Sequence, residues 1–344
     1  MQLHQLTKRI KQKILSIVSS SRWLQWRYIV LQSYMYKRRI SNLDNRYHKG
    51  VDTGNTNNKR VVFLCDERNA SGGLVDRLRG IVSIYKTCKE YNIDFRILFT
   101  EPFELDDYLQ ANLIEWNITP DDLNYNLMTT DICHIGTPTR ARWMAEKQEK
   151  WFQREFRKKY SEYHVITNAS YSYYYNFSEL FSELFKPSRH LQELIDKQKL
   201  ILGESYISIS CRFRDLLNDF NETCPLNLNL SSKEQEDLIC RNLEQLEKIH
   251  RQNPGTKILV NSDSIRFLTA ANEKEYTYVI PGEIGHIDNK EKNYKAQHDK
   301  TFTDFFMIAN AKHIYLFQTG FMFESGFPWA ASLVYNHPFT HITF

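Results

Sequence analysis

The 344-residue chain reads as an α/β protein of two domains, each built on a parallel sheet. Three observations predict this. The length suffices for two full cores. From Arg60 onward, short apolar runs alternate with segments of helical length, the pattern of parallel strands joined by crossover helices. The alternation also occurs twice, and each half opens on an apolar strand that runs into an arginine-bearing loop. Residues 61–65 lead to Gly72, Gly73 and Arg77; residues 206–211 lead to Arg212 and Arg214.

The elements follow in chain order. Residues 1–40 place Leu3, Leu6, Ile10, Ile14 and Ile17 at spacings of three and four, with Lys8, Arg9, Lys11 and Lys13 between them. An aromatic stretch follows: Trp23, Trp26, Tyr28, Tyr34 and Tyr36. A basic amphipathic segment with aromatics can lie on an anionic membrane surface. The competing reading is a helix packed on the body with a solvated basic face, or a docking site for an acidic partner. Residues 41–59, rich in Asn, Thr and Gly, read as a linker. Beyond it the pattern predicts strands at 60–65 and 95–99, with a helix over 74–91. A long charged helix near 139–160 and a strand at 164–167 come next. Helices at 177–185 and 188–199 form a connector. The second half predicts strands at 206–211, 257–260, 276–280 and 313–317, with helices at 232–250, 302–311 and 324–334 and a polar loop over 281–298. The resulting division is a surface segment with linker at 1–50, a first Rossmann-like domain at 51–190 and a second at 191–344.

Composition sets limits. Apolar residues make up 42% and charged residues 25%, as in soluble globular proteins. The net charge of +4 conceals an asymmetry: residues 1–40 hold nine Lys or Arg and no acid, which leaves the body mildly acidic. That is not the charge pattern of a nucleic-acid-binding domain. The six cysteines, at 65, 88, 133, 211, 224 and 240, contain no CxxC pair, so neither a zinc site nor a disulfide framework is expected. No run of 18 apolar residues occurs, and the N-terminus lacks the pattern of a signal peptide. A cytoplasmic protein, peripheral on the inner face of the membrane, is expected.

Strand ends carry the chemistry. In open α/β sheets ligands bind at the C-terminal ends of strands, and arginine offers a fixed fork of donors for phosphate oxygens. Arg212, Arg214 and Asp215 stand at such an end. Gly72-Gly73 lets backbone amides approach a ligand at a helix N-terminus that favours an anion, and Arg77 lies one turn further on. Asp76 reads either as a catalytic base or as a first-turn acid on the helix dipole. Ser262-Asp263 ends another strand, where the carboxylate can read the N1–H and amino group of guanine or cap the next helix. Gln318-Thr319-Gly320 is a third strand-end loop, for ligand or merely for a turn. Asp106-Asp107 and Asp121-Asp122 read as solvated pairs, and no metal site is expected.

Taken in order, these runs resemble the superfamily of GDP-fucose-dependent fucosyltransferases: the α-1,6-, α-1,2- and protein O-fucosyltransferases, including the rhizobial chitin-oligosaccharide enzymes. The first-domain loop resembles residues 72–80, Gly-Gly-Leu-Val-Asp-Arg-Leu-Arg-Gly. The stretch into the second domain resembles residues 181–188. The family's His-x-Arg-Arg-x-Asp is similar to Ser210-Cys211-Arg212-Phe213-Arg214-Asp215, and its Ser/Thr-Asp-Asp strand end to Ser262-Asp263-Ser264. Its Phe-Ser-Ser loop is similar to Phe317-Gln318-Thr319, preceded by Thr303-Asp304-Phe305. The match runs from about residue 60 to the end.

The resemblance implies a GT-B fold, two Rossmann-like domains facing across a cleft, with GDP held mostly by the second. It implies an inverting, metal-independent transfer of fucose from GDP-fucose, the donor substrate, to a glycan acceptor, with no cofactor. Arg212 is then the arginine on the β-phosphate, where its charge replaces that of a metal. Asp263 reads guanine and Thr319 binds a phosphate. The catalytic set is Arg212, Asp76 and Arg77, with Glu67 a second candidate base. The nucleotide-sugar set is Gly72, Gly73, Ser210, Arg214, Asp215, Ser262, Asp263, Gln318 and Thr319. Two positions depart from the motif: Ser210 stands for the family histidine and Phe213 for its second arginine, with Arg214 the nearest replacement. A different sugar nucleotide and a non-catalytic nucleotide-binding scaffold are the competing functions.

Overall fold

The computed structural model describes residues 21–51, 59–66, 72–136, 141–168, 171, 176–220, 226, 228–285, 287 and 294–344. The expected helix over the first 17 residues, the linker glycine and asparagines at 52–58, Glu67 and Ser71 lie outside them. The chain divides into two compact units, Met1–Glu101 with Ile114–Asn176, and Pro102–Leu113 with Phe177–Phe344.

The first unit begins with α1 (Arg22–Leu43), β1 (Arg60–Cys65), α2 (Leu74–Glu90) and β2 (Asp94–Phe99). After β3 (Leu109–Ala111), which belongs to the second unit, come β4 (Thr130–Ile135), α3 (Arg142–Glu155) and β5 (Glu162–Thr167). The four strands form one sheet in the order β2-β1-β5-β4, every pair parallel. β1 is apolar throughout its buried length because a central parallel strand is covered on both faces. α2 rests close on the sheet at Gly80, where a Cβ would lie 2.6 Å from the Thr167 carbonyl. β4 was not expected: Asp131 and His134 interrupt its apolar run. Both are answered by α1, since Lys37 pairs with Asp131 and Tyr36 stacks on His134 at 3.8 Å. The aromatic half of the basic N-terminal segment is thus a helix whose inner side docks on the sheet. No helix of the described residues is long and apolar enough to cross a membrane.

The second unit continues with α4 (Phe177–Leu184), β6 (Phe185–Pro187), α5 (Arg189–Leu202), β7 (Tyr206–Cys211), α6 (Ser232–Gln252) and β8 (Lys257–Ser262). It closes with α7 (Ile265–Asn272), β9 (Thr277–Tyr278), α8 (Tyr294–Ala309), β10 (Ile314–Gln318), α9 (Phe327–Val334) and β11 (Phe339–Thr343). Five strands run parallel in the order β11-β10-β7-β8-β9, while β3 and β6 pair antiparallel. Local chemistry starts the helices where sequence places them: Ser188 accepts from the Leu191 amide at 3.1 Å, and Ser231 with Glu234 forms a capping box. Along β7, Ile207, Ile209 and Cys211 enter the core. Tyr206, on the other face, donates its hydroxyl to the Met307 carbonyl of α8 at 2.6 Å. α8 begins at Tyr294, eight residues before the expected start, because its first turns bury polar side chains (Gln297, His298, Lys300) that carry no apolar signal. Two Rossmann-like parallel sheets in one chain are the α/β, GT-B composition that the resemblance implies.

Candidate nucleotide site at the β7–β8–β10 edge

Parallel pairing sets the ends of three strands side by side. Cys211 of β7 aligns with Ser262 of β8 and with Phe317 of β10, so Arg212, Asp263 and Gln318 follow at one edge of the sheet. Asp263 is 3% exposed. One carboxylate oxygen accepts from the Phe213 amide at 2.8 Å; the other accepts from the Arg214 amide at 2.7 Å and faces Arg212 Nε at 3.3 Å. Burial pushes its pKa above the ordinary aspartate value, against the opposing pull of Arg212 and the two amides. The carboxylate therefore clamps the β7 loop from the neighbouring strand, a job other than the guanine reading or the helix cap expected of it. The cap of α7 is Ser264, whose hydroxyl accepts from the Phe267 amide at 3.1 Å and donates to Asp219 at 2.7 Å.

The clamp shapes the arginines. Phe213 is fully buried against Phe267, 5.2 Å between ring centroids, so the position of the family's second arginine is a core position here. Arg212 and Arg214, on either side of it, are both partly exposed. The Arg212 guanidinium lies 4.8 Å from the centre of the Phe220 ring, and its side chain is 26% exposed. Arg214 lies 5.4 Å from the Phe323 ring, with its backbone at φ 60°, the left-handed region. The Arg212 carbonyl accepts from the Phe323 amide at 2.9 Å, which joins the loop after β10 to the loop after β7. Each of the two guanidiniums thus lies over an aromatic ring beside this edge of the sheet.

The other predicted residues support this edge. Asp215 accepts from the Leu226 amide at 3.0 Å and closes its own loop. Ser262 Oγ accepts from the Ser264 amide at 3.2 Å, and Gln318 donates to the Met322 carbonyl at 2.9 Å. Thr319 is buried and spends its hydroxyl proton on the Phe344 carbonyl, so that donor is not aimed at a phosphate as expected. Ser210 is buried, and among the described residues its hydroxyl has no hydrogen-bond partner. Asn261, its register neighbour, donates to Asp304 at 2.8 Å, and Asp304 pairs with the buried Lys300. Burial raises the pKa of Asp304 while Lys300 lowers it. Sequence reasoning quoted Asp304 only in passing. The signal that finds this pair is its i,i+4 spacing on one helix face.

The residues predicted in the first unit form a separate set. Gly72 has φ 77°, and a Cβ there would lie 2.5 Å from a carboxylate oxygen of Asp76, so the turn requires glycine. Gly73 is the N-cap of α2 and offers no side chain to it. Arg77 is 1% exposed. Its guanidinium donates to the carbonyls of Gly72 at 2.9 Å and Glu101 at 2.8 Å, and to Cys65 Sγ at 3.1 Å. It ties the glycine loop to the ends of β1 and β2. Asp76 pairs with Arg79 at 2.5 Å in the first turn. Among the described residues, ligand atoms of Asp131, Cys133 and Glu155 lie within 4.8 Å of one another, but Lys37 pairs with Asp131 and Lys158 with Glu155.

No protein-family model matches the chain, and no curated protein matches it in sequence. Solved structures do share its fold. The fucosyltransferase NodZ from Bradyrhizobium is 11% identical, with a TM-score of 0.50 over 81% of this chain and 94% of that one. NodZ alpha-1,6-fucosyltransferase co-crystallized with GDP gives 0.51 at 11% identity, over 81% of this chain and 93% of that one. Arabidopsis thaliana FUT1 in complex with GDP gives 0.51 at 12% identity, over 89% of this chain and 74% of that one. The α/β fold of the chain is the one these solved structures have.

Proposed function

We propose that the chain is a glycosyltransferase that moves fucose from GDP-fucose to a glycan acceptor, lipid-linked or on a cell-surface polysaccharide. The observation that carries this reading is Arg212 at the end of β7, clamped by Asp263, in a fold shared with GDP-binding fucosyltransferases. The second unit holds the donor, and the first supplies the acceptor side.

In the proposed reaction an acceptor hydroxyl oxygen bonds to the anomeric carbon of fucose. The bond from that carbon to the β-phosphate oxygen breaks, its electron pair leaves with GDP, and the stereochemistry inverts. Negative charge grows on the leaving diphosphate, where Arg212 and Arg214 stabilise it without a metal. Asp263 acts as a positioning residue: it fixes the backbone from which both guanidiniums project. The acceptor proton passes to a base, for which Asp76, paired with Arg79, and Glu67, outside the described residues, are the candidates.

A second reading keeps the fold and changes the donor. It is favoured by Ser210 in place of a histidine and by the burial of Phe213. Thermal unfolding with GDP, UDP, CMP and ADP separates the two, since a ligand that binds only the folded state raises the midpoint. A rise with GDP alone, followed by release of GDP from GDP-fucose in an acceptor screen, supports the first. A rise with UDP, CMP or ADP moves the donor to the second. No rise with any of them leaves a scaffold protein.

A further inference from the structure

One surface of the first unit has a chemistry that sugar transfer does not use. α1 carries Arg22, Arg27, Lys37, Arg38 and Arg39 and no acidic residue. Its inner side is committed to the sheet through Ile29, Tyr36 and Lys37. Its outer side sets Trp23, Arg27, Leu31, Tyr34, Met35 and Arg38 along one strip at helical spacing, all exposed. Trp23, Tyr34 and Met35 are 63%, 62% and 62% exposed. An ordinary surface helix turns a charged or polar face outward; this one turns out large apolar side chains between arginines. At its N-terminal end Trp23 and Trp26 meet Trp143 of α3 in an open groove of about 300 Å³, rimmed by Arg22, Lys147 and Lys150. The Arg22 guanidinium lies 5.5 Å from the Trp143 ring. Glu146 is the one acid at the groove, and it pairs with Arg142 at 3.3 Å.

We infer that this face docks on an anionic phospholipid bilayer, with the indoles at headgroup level and the Arg and Lys side chains on lipid phosphates. Indole and phenol rings prefer the headgroup zone, and clustered basic residues without acids are drawn to anionic lipid. A soluble polyanion would satisfy the cations but leave Leu31 and Met35 in water. The sequence before α1 continues the same chemistry, with four Lys or Arg among Leu and Ile in residues 1–20. The proposal stands on residues of the first unit alone and does not depend on the donor site.

The test is flotation of the full chain with vesicles of phosphatidylcholine alone and of phosphatidylcholine with phosphatidylglycerol, at low and high salt. The wild type is expected to float only with phosphatidylglycerol, to release at high salt and to shift its tryptophan emission to the blue. Leu31→Glu with Met35→Glu, and separately Lys147→Glu with Lys150→Glu, should each weaken partition at least tenfold with unchanged thermal midpoints. Leu31→Gln with Met35→Gln replaces the first pair if its midpoint falls. Variants that float like the wild type would overturn the proposal, since residues 1–20 would then carry the attachment. So would a wild type that ignores phosphatidylglycerol vesicles, including one that instead binds a soluble anionic polysaccharide.

Discussion

The loops after β1 and β7 look alike in sequence and differ in what their arginines do. Both follow a buried parallel strand and both offer arginine at its end. In the first unit Arg77 turns inward and gives its donors to the backbone carbonyls of Gly72 and Glu101. In the second, the buried Asp263 carboxylate from the neighbouring strand takes the backbone amides of Phe213 and Arg214 and faces Arg212 Nε, while both arginines lie over aromatic rings at a partly exposed edge. An arginine that satisfies carbonyls is architecture. An arginine at a partly exposed strand end stands where a ligand can reach it.

Four measurements break or sharpen this contrast. The largest effect is expected for Arg212→Ala, with turnover falling about 10²–10³-fold, the loss seen when one preorganised donor is removed. Its thermal midpoint should fall, because the buried Asp263 loses the cation that faces it, and retained activity would end the assignment. Arg77→Leu should lower stability and spare turnover. It removes hydrogen bonds from a buried charged group to two part-buried carbonyls, each contributing about 1.5–3 kcal/mol, so urea unfolding should register a loss of about 3 kcal/mol. If that variant is stable and inactive, Arg77 is catalytic and the contrast collapses.

Asp263→Asn sharpens the comparison through pH. Burial raises the folded pKa of Asp263 above 3.8, so the folded protein holds this proton more tightly than the unfolded chain. Its contribution to stability is therefore largest below the usual aspartate range and declines as pH rises through the raised value. Activity should run the other way, because the ionised form orients Arg212. The wild type should show an acid limb in kcat/KM that Asp263→Asn lacks, with activity about tenfold lower at neutral pH, the scale of one lost charge-assisted hydrogen bond. An unchanged profile would mean the clamp does not act on the reaction. The smallest effect is expected for Asp76→Asn. An i,i+3 pair in a first turn contributes about 0.5 kcal/mol, so unfolding should barely move. A hundredfold loss of turnover there would make Asp76 the base and give the first unit a chemical role.

Much of this was legible in sequence where one rule acted alone. β1 announces itself because a strand buried on both faces is continuously apolar, β7 through the alternating Ile207, Ile209 and Cys211 that enter the core, and the placement of Arg212 and Asp263 at the strand ends follows from those runs. What stayed hidden depended on distant partners. β4 carries an aspartate and a histidine that make sense only with Lys37 and Tyr36 from α1. The pairing of β3 with β6 joins segments some 75 residues apart. The early turns of α8 bury Lys300 because Asp304, itself held by Asn261, receives it. The hydroxyl of Thr319 donates to the Phe344 carbonyl, a partner 25 residues further along that no local pattern marks. Position in a strand could be read from the chain, whereas the partner of a buried polar group could not.

Arg214 leaves a practical consequence. Its φ of 60° is one that glycine adopts freely and that other residues hold at about 1–2 kcal/mol. Any campaign that selects variants for heat resistance alone should therefore drift toward glycine at this position. It would gain robustness while discarding a positive charge at the sheet edge, the charge on which the proposed donor site draws.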